Sequence, residues 1–480
     1  MASKKKENGP NTTKKSDKEA EAKTDSKTEE PNNEQNKKQE ETNNQTETEP
    51  PPKMPPLKMC ICGSGGGAHC LVGLAASQPD VEVRVLTLHE DDAKLWTKEM
   101  KNNDLVVVIN NRNGTSREVK AKPEIVTKNP EEAVAGSDYI FMAVSPTSHD
   151  IYFKAMAPHV GKNTLIVGLP GFPGFEYQCR DIVGEKSIPC TLMNFNYLPW
   201  DCKLLEFGKK VEIINFRSYL TGSMIRGRGI CRRPPLMTLQ MLHGAEPIFR
   251  QSKNHLESIL MSHSYIRPAI MFGQWNSWDG KPIHEAPLFY ETVTKETADL
   301  ISKCSDECVE VAKAIMEKSA TKIDLSEVKP IFEWYQELCS NDVNVCTDML
   351  TALTTSKFDK DVTHEMKKEK GGLVPDFHCA SLAEDIPMGT IVIRALADIV
   401  EVKTTNINML IEWCQQKMGK EYIINGELKG KDMKSTRCPQ QYGFTTLESI
   451  IACQIGSTTL ESTIASQIES TIASQIESIS

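Results

Sequence analysis

A glycine-rich turn that directly follows a short apolar run constrains the fold of this chain most. The apolar run covers residues 57–62, and the turn reads Gly63-Ser64-Gly65-Gly66-Gly67-Ala68, which fits the pattern GxGxxA. In this pattern the first glycine permits a tight turn, the second lets a pyrophosphate approach the backbone, and the small last residue lets the next helix pack on the strand. We therefore predict a dinucleotide-binding turn between a strand and a helix, with the amide groups of that helix facing the phosphates.

Further apolar runs indicate that this turn belongs to a larger sheet. They cover residues 83–88, 105–109, 139–144 and 164–169 and alternate with helical or polar segments. Such a series is typical of a parallel sheet with right-handed crossovers. After about residue 230 the apolar residues recur at helical spacing instead. The predicted fold class is α/β plus all-α, with a Rossmann nucleotide-binding domain over residues 57–230 and a helical substrate domain over residues 231–453.

Ligands of open parallel sheets bind at the carboxyl ends of the strands. Thr87 and Leu88 end the second run, and Val144 and Ser145 end a later one, so we assign these residues to the cofactor site together with residues 63–68. No acidic residue ends the second run, which leaves NAD and NADP both open on the residues alone. His149 follows closely, and either contacts nicotinamide or substrate or caps the next helix.

The two ends of the chain have a different composition from the rest. Residues 1–56 contain no Val, Ile, Leu, Phe, Tyr or Trp, and residues 454–480 repeat the text ESTIASQI. A segment that cannot bury apolar surface stays disordered, so we predict a disordered N-terminal tail and a low-complexity C-terminal tail. Neither a secretory signal nor a mitochondrial transit peptide is recognisable at the N-terminus, which favours the cytoplasm.

Composition argues against several other classes of protein. No stretch of 18 or more apolar residues occurs, so no membrane span is expected. The net charge of −9 argues against a nucleic-acid partner. The 15 cysteines are scattered without a CxxC pair or a Cys/His cluster, so we expect no metal site.

From about residue 57 to residue 451 the chain resembles the invertebrate opine dehydrogenases, the family of octopine, tauropine, strombine and alanopine dehydrogenases. The matching text lies in residues 67–69, 83–88, 178–181, 239–247, 277–282, 384–389 and 437–440. The resemblance implies that an amino acid condenses with pyruvate and that NADH reduces the resulting imine, which regenerates NAD during anaerobic glycolysis. It also implies NADH as the cofactor, because the family uses NADH without an acidic residue after the second strand.

The chain departs from the resemblance at the proton-handling position. The family's catalytic histidine precedes a Pro-Ala pair and is oriented by the aspartate of an EDIP motif. Here the aspartate is Asp385, but Arg267 stands in the place of the histidine. Arginine stays charged and cannot exchange a proton near neutral pH. Either His263 replaces the missing histidine, which requires residues 256–266 to be helical so that His263 lies one turn before Arg267 on the same face, or Arg267 pairs with Asp385 and fixes a carboxylate of the substrate or product.

Substrate positions also differ from those of the octopine-forming members. The resemblance assigns Phe172, Asn196, Tyr197 and Ala380 to positions where those members carry glutamine, an acid, threonine and arginine, and we add Trp334 to this set. An amide at Asn196 removes a partner for a guanidinium, since a bidentate arginine contact requires a carboxylate.

The predicted function is the NADH-dependent condensation of pyruvate with a small amino acid, such as taurine, glycine, alanine or β-alanine, by a monomer or weak oligomer. One alternative is an NADH-binding paralogue with weak or no catalysis. Another is an enzyme that reduces a 2-oxo acid directly, without an amine.

Overall fold

The computed structural model of the protein describes residues 55–357 and 361–454. The predicted tails lie outside these ranges, apart from Pro55, Pro56 and Gln454. Within the described ranges, no helix has both the length and the apolar character needed to cross a membrane.

An eight-stranded sheet organises the first half of the chain. Its order is β12-β11-β8-β7-β6-β1-β2-β5, and the six strands from β8 to β5 run parallel, while β11 is antiparallel to β8. This sheet confirms the predicted Rossmann architecture. Its strands are β1 Leu57–Cys62, β2 Val81–Leu86, β5 Ile125–Thr127, β6 Tyr139–Met142, β7 Leu165–Gly168, β8 Thr191–Phe195, β11 Tyr219–Ile225 and β12 Ile248–Gln251.

A second sheet of four strands covers the first helix from the other side. Its order is β4-β3-β10-β9, formed by β3 Leu105–Asn110, β4 Ser116–Ala121, β9 Trp200–Glu206 and β10 Lys210–Phe216. The run 105–109 was predicted as a strand of the parallel sheet, and that placement is wrong. Alternate residues of β3 are buried because only one of its faces is covered. Helix α1 approaches that face so closely that a Cβ on Gly73 would lie 2.2 Å from Val107 Cγ2.

The helices of the first half pack on the eight-stranded sheet and reach beyond the predicted boundary. They are α1 Gly66–Ala76, α2 Asp92–Met100, α3 Pro130–Val134, α4 His149–Met156, α5 Phe175–Val183 and α6 Pro235–His243. Leu239 and Leu242 of α6 and Phe249 of β12 belong to the same apolar core as α1. The expected boundary at residues 230/231 therefore falls too early, because one further helix and one further strand complete this sheet domain.

The second half is helical, as predicted. A separate apolar core joins its helices, which are α7 His255–Leu260, α8 Ile266–Trp275, α9 Lys295–Lys318, α10 Ile331–Leu338, α11 Met349–Thr354, α12 Ala380–Ala383, α13 Ile391–Ile399, α14 Thr405–Met418 and α15 Leu447–Gln454. A π-helical turn, Ile386–Thr390, directly precedes α13. Two short hairpins complete the domain, β13 Met366–Glu369 with β14 Gly372–Pro375 and β15 Ile423–Ile424 with β16 Glu427–Leu428.

Candidate active site

A cavity of about 360 Å³ lies between the two domains at the carboxyl ends of the parallel strands. Loops after β7 and β8 form one wall, and the start of α8, helix α10 and the segment after α12 form the other. This is the crevice in which ligands of open α/β sheets bind. Its lining includes Phe172, Asn196, Tyr197, Asp201, Arg217, His263, Arg267, Tyr290, Trp334, Glu384 and Asp385.

The glycine turn has the shape that a dinucleotide requires. Gly63 has φ +123°, and a Cβ there would lie 2.4 Å from the carbonyl oxygen of Ala143. The space beside Gly65 is open, since no heavy atom would lie within 4 Å of a Cβ on that residue. No side chain caps α1 at Gly65, so its first amide groups are available to an anion. The neighbouring Ser64 hydroxyl donates a hydrogen bond to Asp92 Oδ2 at 2.6 Å.

The predicted cofactor residues Thr87 and Leu88 follow β2, and Val144 and Ser145 follow β6. Thr87 is fully buried, and the backbone amide of Leu88 donates to the Tyr152 hydroxyl at 3.0 Å. Ser145 is exposed and its hydroxyl donates to Glu384 Oε1 of the helical domain at 2.6 Å. The carbonyl oxygen of Val144 lies next to the ring of His149.

His149 lies in the core of the first domain and not in the cavity wall. It is fully buried, and its Nε2 lies 3.2 Å from the carbonyl oxygen of Val144. Its ring packs edge-on against Phe153 and Phe175. Burial, with a contribution from nearby Arg437, holds the pKa of His149 well below its usual value. His149 is the first residue of α4, and Ser148 is the N-cap residue, so the structure supports neither the substrate contact nor the capping alternative.

Arg267 and Asp385 form a bidentate ion pair in the cavity wall. Arg267 Nε donates to Asp385 Oδ2 at 2.7 Å, and Nη2 donates to Oδ1 at 2.5 Å. Burial would lower the pKa of Arg267, but the charge of Asp385 raises it above its usual value. Burial raises the pKa of Asp385 to about 6 against the opposing effect of Arg267. Both groups are therefore charged at neutral pH.

His263 does not share a continuous helix with Arg267, which contradicts the geometry expected for its catalytic role. Helix α7 ends at Leu260, and His263 lies in the connection to α8 with φ +53°. Its ring packs against Trp334, with 4.6 Å between the ring centroids. Neither ring nitrogen has a hydrogen-bond partner among the described residues, and burial lowers the pKa of His263 to about 3. The imidazole is neutral, and it lines the cavity without reaching Asp385 by a hydrogen bond.

Four of the six predicted substrate positions line the cavity, and His149 and Ala380 do not. Phe172 adopts φ +67°, a strained conformation for a bulky residue, and its carbonyl accepts a hydrogen bond from Asn194 at 2.9 Å. The Tyr197 hydroxyl donates to the carbonyl of Ser262 at 2.5 Å. Ala380 begins α12 and is absent from the cavity lining, so its assignment to the substrate site is not supported. Asn196 and Trp334 also line the cavity.

Asn196 lines the cavity and has an unpaired amide oxygen. Its Nδ2 donates to the carbonyl of Ser258 at 2.7 Å, which fixes the orientation of the amide. Oδ1 is buried and has no hydrogen-bond partner among the described residues. A buried acceptor without a partner costs free energy.

Several cavity residues were not predicted from the sequence. Arg217 stacks over the Tyr197 ring at 5.0 Å and donates to the carbonyl of Leu198, and no sequence pattern marked it. Asp342 is held by Ser218 and Arg112 of the first domain. Glu384 could have been found, because it precedes Asp385 in the EDIP motif.

Comparison with known proteins identifies the family. A family model described as NAD/NADP octopine/nopaline dehydrogenase, alpha-helical domain, matches residues 252–418. The chain is 49% identical to octopine dehydrogenase from Pecten maximus, over 82% of this chain and 98% of the relative. It is 40% identical to tauropine dehydrogenase from Arabella iricolor, over 82% of this chain and 99% of the relative.

Comparison with solved structures identifies the same family. An octopine dehydrogenase in complex with NADH and agmatine matches with a TM-score of 0.78 and 49% identity, over 82% of this chain and 98% of the other. A second, which contains NADH and pyruvate, matches with a TM-score of 0.76 and 49% identity, over 82% and 97%. NADH, the cofactor that the family resemblance implied, is thus the cofactor in both solved relatives. The chain belongs to the opine dehydrogenase family, NAD-dependent oxidoreductases that act on CH–NH bonds.

Proposed function

We propose that the protein condenses pyruvate reductively with a small amino acid, such as taurine, glycine, alanine or β-alanine, in preference to arginine. The observation that carries this proposal is Asn196 in the cavity wall. A neutral amide at this position offers no bidentate carboxylate to a guanidinium, whereas a small amino acid does not need one. The relatives with NADH and pyruvate support the other two reactants.

The chain's own residues fit NADH. The turn from Gly63 to Ala68 would hold the pyrophosphate, Thr87 and Leu88 the adenosine side, and Val144 and Ser145 the nicotinamide side. NADH supplies a hydride when bound. The residues of the chain bind it, orient it towards the cavity and limit the access of water.

Arg267 serves, in this proposal, as an anion-binding group in the place of a proton carrier. Asp385 occupies Nε and Nη2, which leaves Nη1 for the carboxylate of pyruvate or of the amino acid. A cavity-wall guanidinium attracts such an anion strongly. The identification of residue 267 with the family's histidine position remains part of this proposal.

A second candidate is an NADH-binding protein with weak or no catalysis. It is favoured by the same ion pair, because Arg267 cannot carry a proton and His263 is neutral and held away from Asp385. Such a protein would bind NADH but transfer little or no hydride to a substrate.

The test is NADH oxidation by the purified protein with pyruvate, screened against a panel of amino acids, against arginine and without an amine. We expect oxidation with at least one small amino acid and little with arginine. Oxidation without an amine would indicate direct reduction of the 2-oxo acid. NADH binding without oxidation by any amine would favour the second candidate.

We also propose that the reaction takes place in the cytoplasm, regenerates NAD when glycolysis runs without oxygen, and is carried out by a monomer or weak oligomer. Size-exclusion chromatography with light scattering tests the last point.

A further inference from the structure

The proposed reaction needs a group that moves protons. When an ammonium group condenses with a carbonyl, a C–N bond forms and the C–O bond breaks. Two protons pass from nitrogen to the departing oxygen, water leaves, and the iminium ion keeps the positive charge. The charge and the electrons balance without an oxidant or reductant. A group close to both atoms must accept each proton and return it.

The residues expected to do this are not suited to it. Arg267 stays charged, and both oxygens of Asp385 accept its hydrogen bonds. His263 is buried with a neutral ring. Asp342, another carboxylate of the cavity lining, is held on both oxygens by Ser218 and Arg112.

Glu384 has a different environment. It lines the same cavity and is half-buried. Its Oε1 accepts a hydrogen bond from the Ser145 hydroxyl at 2.6 Å, and that hydroxyl lies 2.7 Å from Thr147 Oγ1. Both hydroxyl residues are exposed. An unbroken chain of exchangeable protons therefore connects the carboxyl group to the surface of the protein.

We propose that Glu384 is the catalytic proton carrier of this site, and that Ser145 and Thr147 connect it to solvent. The inference rests on the proposed function. Glu384 takes a proton from the substrate ammonium and delivers it to the departing oxygen, once for each of the two protons. Its charged neighbours are Asp385 on the same segment, Arg267 on α8 and the buried Arg437. The two guanidinium groups attract the Glu384 carboxylate, and the carboxylate of Asp385 repels it.

The test compares Glu384→Gln with Glu384→Asp, using the amine that the wild type accepts. Glutamine keeps the size of the side chain and an acceptor for Ser145 but cannot exchange protons. We expect kcat to fall by about 10²-fold or more, in line with the usual contribution of a general acid or base. Glu384→Asp should recover part of that loss. NADH affinity, measured by fluorescence titration, should stay within about threefold of the wild-type value in both variants.

Two further measurements separate proton transfer from a structural role. The pH profile of kcat in the wild type should have one limb that is absent from the profile of Glu384→Gln. Thr147→Val removes the outer hydroxyl but leaves the Ser145–Glu384 bond, so it should lower kcat and raise the solvent deuterium isotope effect while KM for pyruvate changes little. Glu310→Gln, on the exposed face of α9, is the matched control and should change none of these values.

The outcomes distinguish the proton-carrier role of Glu384 from the proposed function. A wild type that is active and a Glu384→Gln variant with kcat within about threefold of it would overturn this inference and leave the proposed function intact. A wild type that binds NADH but oxidises it with no amine would overturn both. Loss of kcat in Glu384→Gln with the pH limb unchanged would assign the proton step to another group and overturn the inference.

Discussion

In the proposed function, Arg267 stands at the position of the family's catalytic histidine, so a side chain that cannot titrate near neutral pH takes the place of one that can. Arg267 donates two charge-assisted hydrogen bonds to Asp385, at 2.7 and 2.5 Å, and adds a permanent positive charge to the cavity wall. Such a charge can bind an anion but cannot pass on a proton. The chemistry of the site therefore depends on whether proton transfer has moved to another residue.

Replacing Arg267 by histidine tests this directly. If the native site already works with an arginine, Arg267→His should leave kcat/KM for pyruvate level or lower it, because the anion-binding charge is lost. Arg267→Lys should also lower kcat/KM, since an ammonium cannot make the bidentate bond to Asp385. Steady-state kinetics with the best amine gives the answer. A tenfold or greater gain in Arg267→His would mean that the native enzyme is impaired at this position.

Glu257 allows a prediction about pH and stability. It accepts a hydrogen bond from the backbone amide of Lys253 at 3.2 Å, and burial raises the pKa of Glu257 from 4.5 to about 7. A raised pKa in the folded state means that its stabilising contribution is full below about pH 4.5 and is lost as the pH rises through about 7. Glu257→Gln should therefore gain thermal stability relative to the wild type as the pH increases from 5 to 8.

The measurement for this prediction is the difference in melting temperature between variant and wild type at several pH values. We expect the difference to grow by about one to three degrees over this range. Glu310→Gln should show no such trend. A constant difference for Glu257→Gln would show that the folded protein does not favour the protonated carboxyl.

At the scale of elements, sequence patterns predicted the structure correctly where residues close in sequence determine the conformation. The turn from Gly63 to Ala68 was predictable because strand, turn and helix are contiguous in sequence. The placement of the run 105–109 was not, because burial on one face depends on helix α1 and on strands that come a hundred residues later. Glu384 and Ser145 meet across 239 residues, and no sequence spacing encodes that contact.

The start of α1 carries a prediction of its own. Gly65→Asp would place a side chain and a negative charge in the open space beside the helix amides, so it should abolish NADH binding. Ser77→Asp adds the same charge at the opposite end of α1 and should leave the affinity unchanged. Fluorescence titration with NADH measures both. Unchanged affinity in Gly65→Asp would contradict the assignment of the phosphate site.

At the scale of the whole molecule, one fully buried arginine is among the residues that connect the two domains. Arg437 comes from the helical half and is fully buried. Its Nη1 donates to the carbonyl of Gly171 at 2.5 Å, and Nη2 donates to the carbonyl of Pro146 at 2.7 Å. Both carbonyls belong to turns at the carboxyl ends of the parallel strands. Burial lowers the pKa of Arg437 to about 10, so it is still charged at neutral pH.

Replacing this arginine should weaken both stability and cofactor binding. Arg437→Lys keeps a charge but cannot reach both carbonyls with a planar group, and hydrogen bonds to charged groups each contribute about 1.5–3 kcal/mol. The turn at Pro146 adjoins Ser145, so its displacement should also reduce NADH affinity. Arg394→Lys is the matched control, because Arg394 is buried in the helical half and bonds to Asn408 and Asp398 there. We expect both variants to melt at lower temperature and only Arg437→Lys to lose NADH affinity; equal affinity in the two would show that the domain contact does not position the cofactor turn.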